Sequence, residues 1–150
     1  MKTRIKIEML NRKAIGLKPV FAHEDDACMD IFAADDLWLD PFSTRLVPSG
    51  FKIQLEKGWE AQIRPRSGNS LKKGFLVLFG TIDAGYTGEV GIIIHHMEPS
   101  LGPIKISKGD KIAQMAIREV PLVQASFGKI KKDTERGEGG FGSTDKKEKK

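Results

Sequence analysis

The chain has 150 residues, of which 39% are hydrophobic and 30% charged, enough for one domain around one modest core. No apolar run approaches the roughly 20 residues that span a bilayer as a helix, and MKTRIKIEML has no signal-peptide stretch, so no membrane partner is expected. Cys28 is the only cysteine, which excludes an intrachain disulfide and suggests a cytoplasmic setting; the net charge of +5 is weighted by Lys146, Lys147, Lys149 and Lys150, read as a solvated tail and not as a nucleic-acid patch.

Short apolar or alternating runs predict strands along the chain. They lie at 5–10, 30–39, 43–55, 59–65, 75–82, 89–97, 104–120 and 121–127. Turn signals separate or interrupt them: LDP, PSG, EKG, DAGYTG, EPSLGP and SKGD. Many short strands without a helical period indicate an all-β barrel or sandwich. One short helix is expected in SGNSLKKG, capped by Ser67 or Asn69 and ended by Gly74. From Lys129 onward the chain is almost all charged or glycine, with Phe141 its one aromatic residue. Such a segment builds no core. The expected division is a body at 1–128, a glycine-rich arm at 129–145 and a basic tail at 146–150.

Five segments carry chemistry-bearing residues. In DACMDIFAADD, Asp30 opens an apolar run, where a carboxylate suits a hydrated Mg²⁺; alone, it reads more simply as a turn acid. In RPRSGNSLKKG, Arg66 offers a planar fork of donors, Ser67 a hydroxyl and Gly68 a close backbone approach, which together suit phosphate. The GK[ST] ending of a Walker A loop is absent, and an ordinary loop-to-helix turn fits these residues equally well. FGTIDAGYTGEVGIII reads as a hairpin, with Asp83 at the end of its first strand and Tyr86, the only tyrosine, at its tip. A carboxylate there suits a general base toward water, or a plain turn aspartate. KGDKIAQMAI is a turn and strand carrying Gln114. RGEGGFGSTD combines the Arg136 fork, wrapping glycines, the Phe141 ring and the Ser143 and Thr144 hydroxyls, which suits a flexible linker or a lid that closes over a ligand. His23, His95 and His96 lack zinc-site spacing; the adjacent pair in a strand faces opposite sides, and all three read as packing or surface residues.

Taken in order, the five segments resemble the five motifs of the trimeric dUTPase family, from about Ala22 to Thr144, most closely in PRSG, GTIDAGYTGEV, GDKIAQ and RGEGGFGST. The resemblance implies a distorted jelly-roll-like β-barrel in a homotrimer, with the C-terminal arm exchanged between subunits. It implies hydrolysis of dUTP to dUMP and pyrophosphate with Mg²⁺ as cofactor, which limits uracil in DNA and supplies dUMP for dTMP synthesis. Each site would take its hairpin from one subunit, its second and fourth segments from a neighbour, and its arm from the third.

Roles carry over by position. Asp83 is implied as the acid that activates water against the α-phosphorus. Gly80, Thr81 and Ile82 are implied to read uracil through main-chain groups, with Gly91 a further substrate contact on the next strand. Tyr86 is implied to pack on deoxyribose, where a 2′-hydroxyl would collide. Arg66, Ser67, Gly68 and Gln114 are implied phosphate contacts, Asp30 the acid holding Mg²⁺ through water, and Arg136 the γ-phosphate ligand. Phe141 is implied to stack on uracil, with Gly142, Ser143 and Thr144 completing the lid. The chain departs from the family pattern at Cys28, where glycine is usual, and at Asn69 and Ser70, where LA is usual. Gly85 stands where aspartate is frequent.

A dCTP deaminase, similar in fold and hairpin, typically has tryptophan where Tyr86 stands and a glutamate where Ile93 stands. That ranks deamination below hydrolysis. A nucleotide-responsive regulator that binds protein partners ranks lower because Asp83 and the fifth segment are intact. Nucleic-acid binding ranks lowest, since no basic and aromatic stacking strip is present.

Overall fold

The computed structural model describes residues 4–10, 16–130, 134 and 137–138. Its elements are β1 (Lys6–Met9), β2 (Met29–Phe32), β3 (Leu37–Leu39), β4 (Thr44–Gln54), β5 (Trp59–Arg64), α1 (Ser67–Lys72), β6 (Phe75–Val77), β7 (Gly80–Asp83), β8 (Glu89–His96), a 3-10 turn (Pro99–Leu101), β9 (Ile104–Ile106) and β10 (Lys111–Glu119). All pairing is antiparallel. One sheet has the order β1-β4-β8-β6, a second β2-β10-β5-β7, and β3 pairs with β9. The chain is therefore all-β apart from two short helical turns. Among the described residues no helix is long and apolar enough to cross a membrane.

Strand alternation builds the core. In β8 the side chains of Val90, Ile92, Ile94 and His96 point inward while Gly91, Ile93 and His95 point outward, as a period of two requires. They meet Val47, Phe51 and Ile53 of β4, Ile31 of β2, Ile63 of β5, and Ile112 and Met115 of β10 in one cluster. His96 is a satisfied core residue: one ring nitrogen meets the Gly102 carbonyl at 2.7 Å and the other the Glu98 N–H at 3.2 Å. His95 bonds Thr44 on the outer side. Asp36 ties β3 to the turn before β10. The Lys108 N–H, then Lys105, holds its carboxyl below the ordinary value, so the tie is lost only as pH falls through that lowered value.

Four local expectations are corrected. The run 30–39 is two strands in different sheets, because small, buried Ala33 and Ala34 divert the chain; their N–H groups bond Asp110 and Pro48 carbonyls. The run 75–82 likewise splits into β6 and β7, which belong to different sheets. The run 121–127 forms no strand: Pro121 lacks an N–H, and β10 already has β2 and β5 on its two edges. Arg66 stands at the N-cap position, not Ser67 or Asn69, and makes no side-chain cap bond; the helix's end before Gly74 at φ +72° is as expected.

Asn69 is instead a buried staple. Its amide donates to the carbonyls of Lys111 at 3.0 Å and Ile112 at 2.9 Å, fixing α1 against the start of β10. Asn69→Ala should cost about 1–3 kcal/mol, since two carbonyls lose their donor. A melting temperature lowered by several degrees checks this; an unchanged one removes the staple.

Candidate active site

Five of the site residues line one cleft of about 340 Å³: Asp30, Arg66, Ser67, Gly68 and Gln114 meet there beside Asp26 and Cys28, with Ala22 and Ala27 completing it. The cleft is the junction of β2, β10 and the turn into α1. In register, Gln114 of β10 sits between Asp30 of β2 and Arg64 of β5. The Gln114 side-chain amide donates to the Pro65 carbonyl at 2.8 Å, and Arg66 reaches the Lys111 carbonyl at 3.4 Å. With the Asn69 bonds, these contacts fasten the PRSG turn to the GDKIAQ strand. Two segments distant in sequence thus form one rigid wall.

Asp30 carries the charge balance of that wall. Its side chain is mostly buried, and its two oxygens meet Arg66 Nε at 3.0 Å and Lys111 Nζ at 2.7 Å. Two cations meet on one carboxylate, and with Asp26 also lining the cleft the fixed charges there balance; Arg66 is left as the guanidinium donor facing the cleft, suited to phosphate. Arg66 spends Nε and Nη1 on protein acceptors and leaves Nη2 without a partner among the described residues. Lys111 also lies 6.0 Å from the Phe32 ring centroid. Lys111 is a site residue that its local sequence does not mark. The signal was a cation opening the strand that carries Gln114, but its acid lies on a strand paired only by the fold.

The hairpin expectation needs correction. Gly80–Asp83 pairs with β5, whereas Glu89–His96 pairs with β4 and β6. The two strands do not pair with each other; they leave the tip toward different sheets. The turn itself is as expected, with the Tyr86 N–H donating to the Asp83 carbonyl at 3.0 Å. β7 is consequently an edge strand, whose outer N–H and C=O groups have no strand beside them among the described residues. Asp83 is exposed at its end, Thr81 is exposed and Ile82 is buried. Tyr86 is half exposed, and its hydroxyl donates to the Glu89 carbonyl at 2.9 Å. Gly91 has a reason of its own: a Cβ there would stand 2.6 Å from Leu46 Cδ1.

Known proteins resemble this chain over nearly its whole length. A family model described as dUTPase matches residues 18–145. The deoxyuridine 5′-triphosphate nucleotidohydrolase of Clostridium tetani is 46% identical over 145 residues, covering 95% of this chain and 97% of that protein. The protein of that name from Gloeothece citriformis is 44% identical over 144 residues, covering 94% of this chain and 96% of its own.

This chain belongs to the dUTPase family. It is thereby an enzyme of the dUTP diphosphatase class. Among solved structures, the Staphylococcus bacteriophage 80alpha dUTPase with dUPNHPP superposes with a TM-score of 0.87 at 27% identity, covering 95% of this chain and 98% of that one. A variant dUTPase from phage phi11 of S. aureus, described as revealing the coordination of a structural Mg(II) ion, gives a TM-score of 0.73 at 25% identity, covering 89% of this chain and 99% of that one.

Among the described residues, one chain does not bring the whole set together. Asp83 is level with Glu60 on β5, while Gln114 is level with Arg64, four positions away. From Asp30 on β2 to Asp83 on β7 is three strand spacings across and four residues along, or about 20 Å. Arg136, Phe141, Gly142, Ser143 and Thr144 lie outside the described residues. Among the described residues no three histidine, cysteine, aspartate or glutamate side chains cluster as a metal cage.

Proposed function

We propose that the protein hydrolyses dUTP to dUMP and pyrophosphate in sites completed between the subunits of a homotrimer. The separation of about 20 Å between Asp30 in the cleft and Asp83 carries this reading, because a nucleoside triphosphate engaging both needs them from different copies. Two apolar surfaces favour such an assembly. Leu46 and Ile93 are cross-strand partners on the outer face of β4 and β8, and both are exposed. Leu122, Val123, Phe127 and Ile130 follow β10 with their side chains almost fully exposed. Closure of the two four-stranded sheets as a jelly-roll-like barrel belongs to the same proposal. So does the division into body, arm and tail, which the family match ending at residue 145 favours.

The chemistry follows from the parts. The free edge of β7 offers Gly80, Thr81 and Ile82 main-chain groups to a uracil edge, as an added strand would be read. Tyr86 flanks the sugar and disfavours a 2′-hydroxyl. Arg66, Ser67, Gly68 and Gln114 take the phosphates, and Gly68 suits a close approach because open space lies where its Cβ would stand. Asp83 orients a water and accepts its proton as the water oxygen attacks the α-phosphorus. The bond to the bridging oxygen breaks, and pyrophosphate leaves.

Asp26 and Asp30 are too few to cage a bare ion, but they fit an octahedral Mg²⁺ held mostly by phosphates and water. When bound, Mg²⁺ would neutralise triphosphate charge; because both Asp30 oxygens are already engaged by cations, Asp30 would hold it through water. Asp30→Asn should raise the Mg²⁺ concentration for half-maximal turnover by about tenfold. A Mg²⁺ titration checks this, and an unshifted curve removes Asp30 from the metal's surroundings. Product dUMP would limit uracil in DNA and feed dTMP synthesis.

The deciding test is pyrophosphate release from dUTP, UTP, dTTP and dCTP with and without Mg²⁺. Release from dUTP alone, dependent on Mg²⁺, is expected. Ammonia from dCTP would replace hydrolysis with deamination.

A further inference from the structure

The tip of the DAGYTG turn contains a glycine whose backbone does not require glycine. Gly88 is not among the residues at positive φ, so another amino acid meets no conformational penalty there. Its requirement is spatial. A Cβ on Gly88 would fall onto the Tyr86 hydroxyl, stand 2.5 Å from Tyr86 Cζ and 3.0 Å from Cε2. The Tyr86 ring therefore occupies the volume that any side chain at Gly88 would need. The ring is held there by its hydroxyl, which donates to the Glu89 carbonyl at 2.9 Å. Glu89 is itself anchored: its carboxylate accepts the Gly50 N–H at 2.8 Å, at the irregularity in β4 between Pro48 and Lys52. The ring is thus folded back on a fixed support and only half exposed.

We propose that Gly88 is a positioning residue for sugar selection, its missing side chain being the seat that holds Tyr86 at the angle that excludes a 2′-hydroxyl. This rests on the reading of Tyr86 as the contact to deoxyribose. Gly88 itself touches no substrate; it acts through the ring. A side chain at position 88 pushes the ring off the Glu89 carbonyl and outward, opening room for ribose while leaving Asp83 and the phosphate wall in place.

Tyr86 is the only tyrosine, so fluorotyrosine incorporation gives one fluorine resonance that reports the ring alone. In substrate-free Gly88→Ala that resonance should move. The ratio of kcat/KM for dUTP to that for UTP should fall by about tenfold, within the range one hydroxyl commands in a fitted site. A resonance and a ratio both unchanged would overturn the proposal. Tyr86→Ala separates the two readings. If it lowers the ratio while Gly88→Ala does not, the seat is wrong and the sugar contact stands. If Tyr86→Ala leaves the ratio intact, the sugar contact fails and the seat fails with it. Should Gly88→Ala not fold, Tyr86→Phe decides: loss of the hydroxyl bond should lower the ratio in the same direction at an unchanged melting temperature. A full ratio in that variant overturns the proposal.

Discussion

Asp83→Asn should bind dUTP nearly as the parent does and lose most of its turnover, with kcat down by about 10²–10⁴. The change is isosteric and falls on an exposed side chain at the end of β7, outside the core cluster. Its backbone carbonyl keeps the bond from the Tyr86 N–H, so the turn and the edge strand stay in place. Gln114 of the phosphate wall lies two strand spacings and four residues away, about 16 Å, and is untouched. What disappears is an acceptor for the water's proton, which matters only as the attack proceeds. Such a loss appears in kcat with KM little altered. Single-turnover measurement beside equilibrium binding of a non-hydrolysable dUTP analogue separates these quantities. Turnover at the parent rate would remove Asp83 from the reaction.

The strands whose alternation is complete were legible before folding. β8 buries every second residue although Ile92, Ile93 and Ile94 form one apolar run, and β8, β4 and β5 all lie within the runs their residues mark out. What escaped is where a continuous apolar run changes sheets. Nothing local distinguishes Ala33 and Ala34, or Leu78 and Phe79, from strand interior; the crossing is set by which edges are free elsewhere. The same cause hid the splaying of β7 from β8. Asn69 reads as a helix cap because Asn caps helices often, yet it is claimed by two carbonyls of β10 that lie 42 and 43 positions away in sequence. Site residues carried by ordered motifs were legible, since their order needs no fold. Lys111 was not, because its role is defined by Asp30 across a strand pair.

Removing the chain from Arg136 onward should leave a folded assembly with kcat/KM for dUTP reduced by about 10²–10³. That loss corresponds to about 3–4 kcal/mol, the scale of one charge-assisted contact to phosphate and one base stack. The body should survive because, among the described residues, the last buried side chain is Ala116. The exposed apolar strip from Leu122 to Ile130 lies before the cut and remains available to a neighbouring copy. Sedimentation and melting should therefore match the parent while turnover collapses; full turnover would reduce the arm to a bystander. A mixing experiment decides whose site the arm serves. Full-length Asp83→Asn chains supply arms without the base, and truncated chains supply the base without arms. If each arm closes its own subunit's Asp83, no site in a mixed assembly holds both, and activity stays absent. If the arm closes over another subunit, mixing the two inactive proteins under conditions of subunit exchange restores part of the parent rate. Restoration is the expected result, since among the described residues one chain does not place the cleft of Asp30, Arg66 and Gln114 beside Asp83.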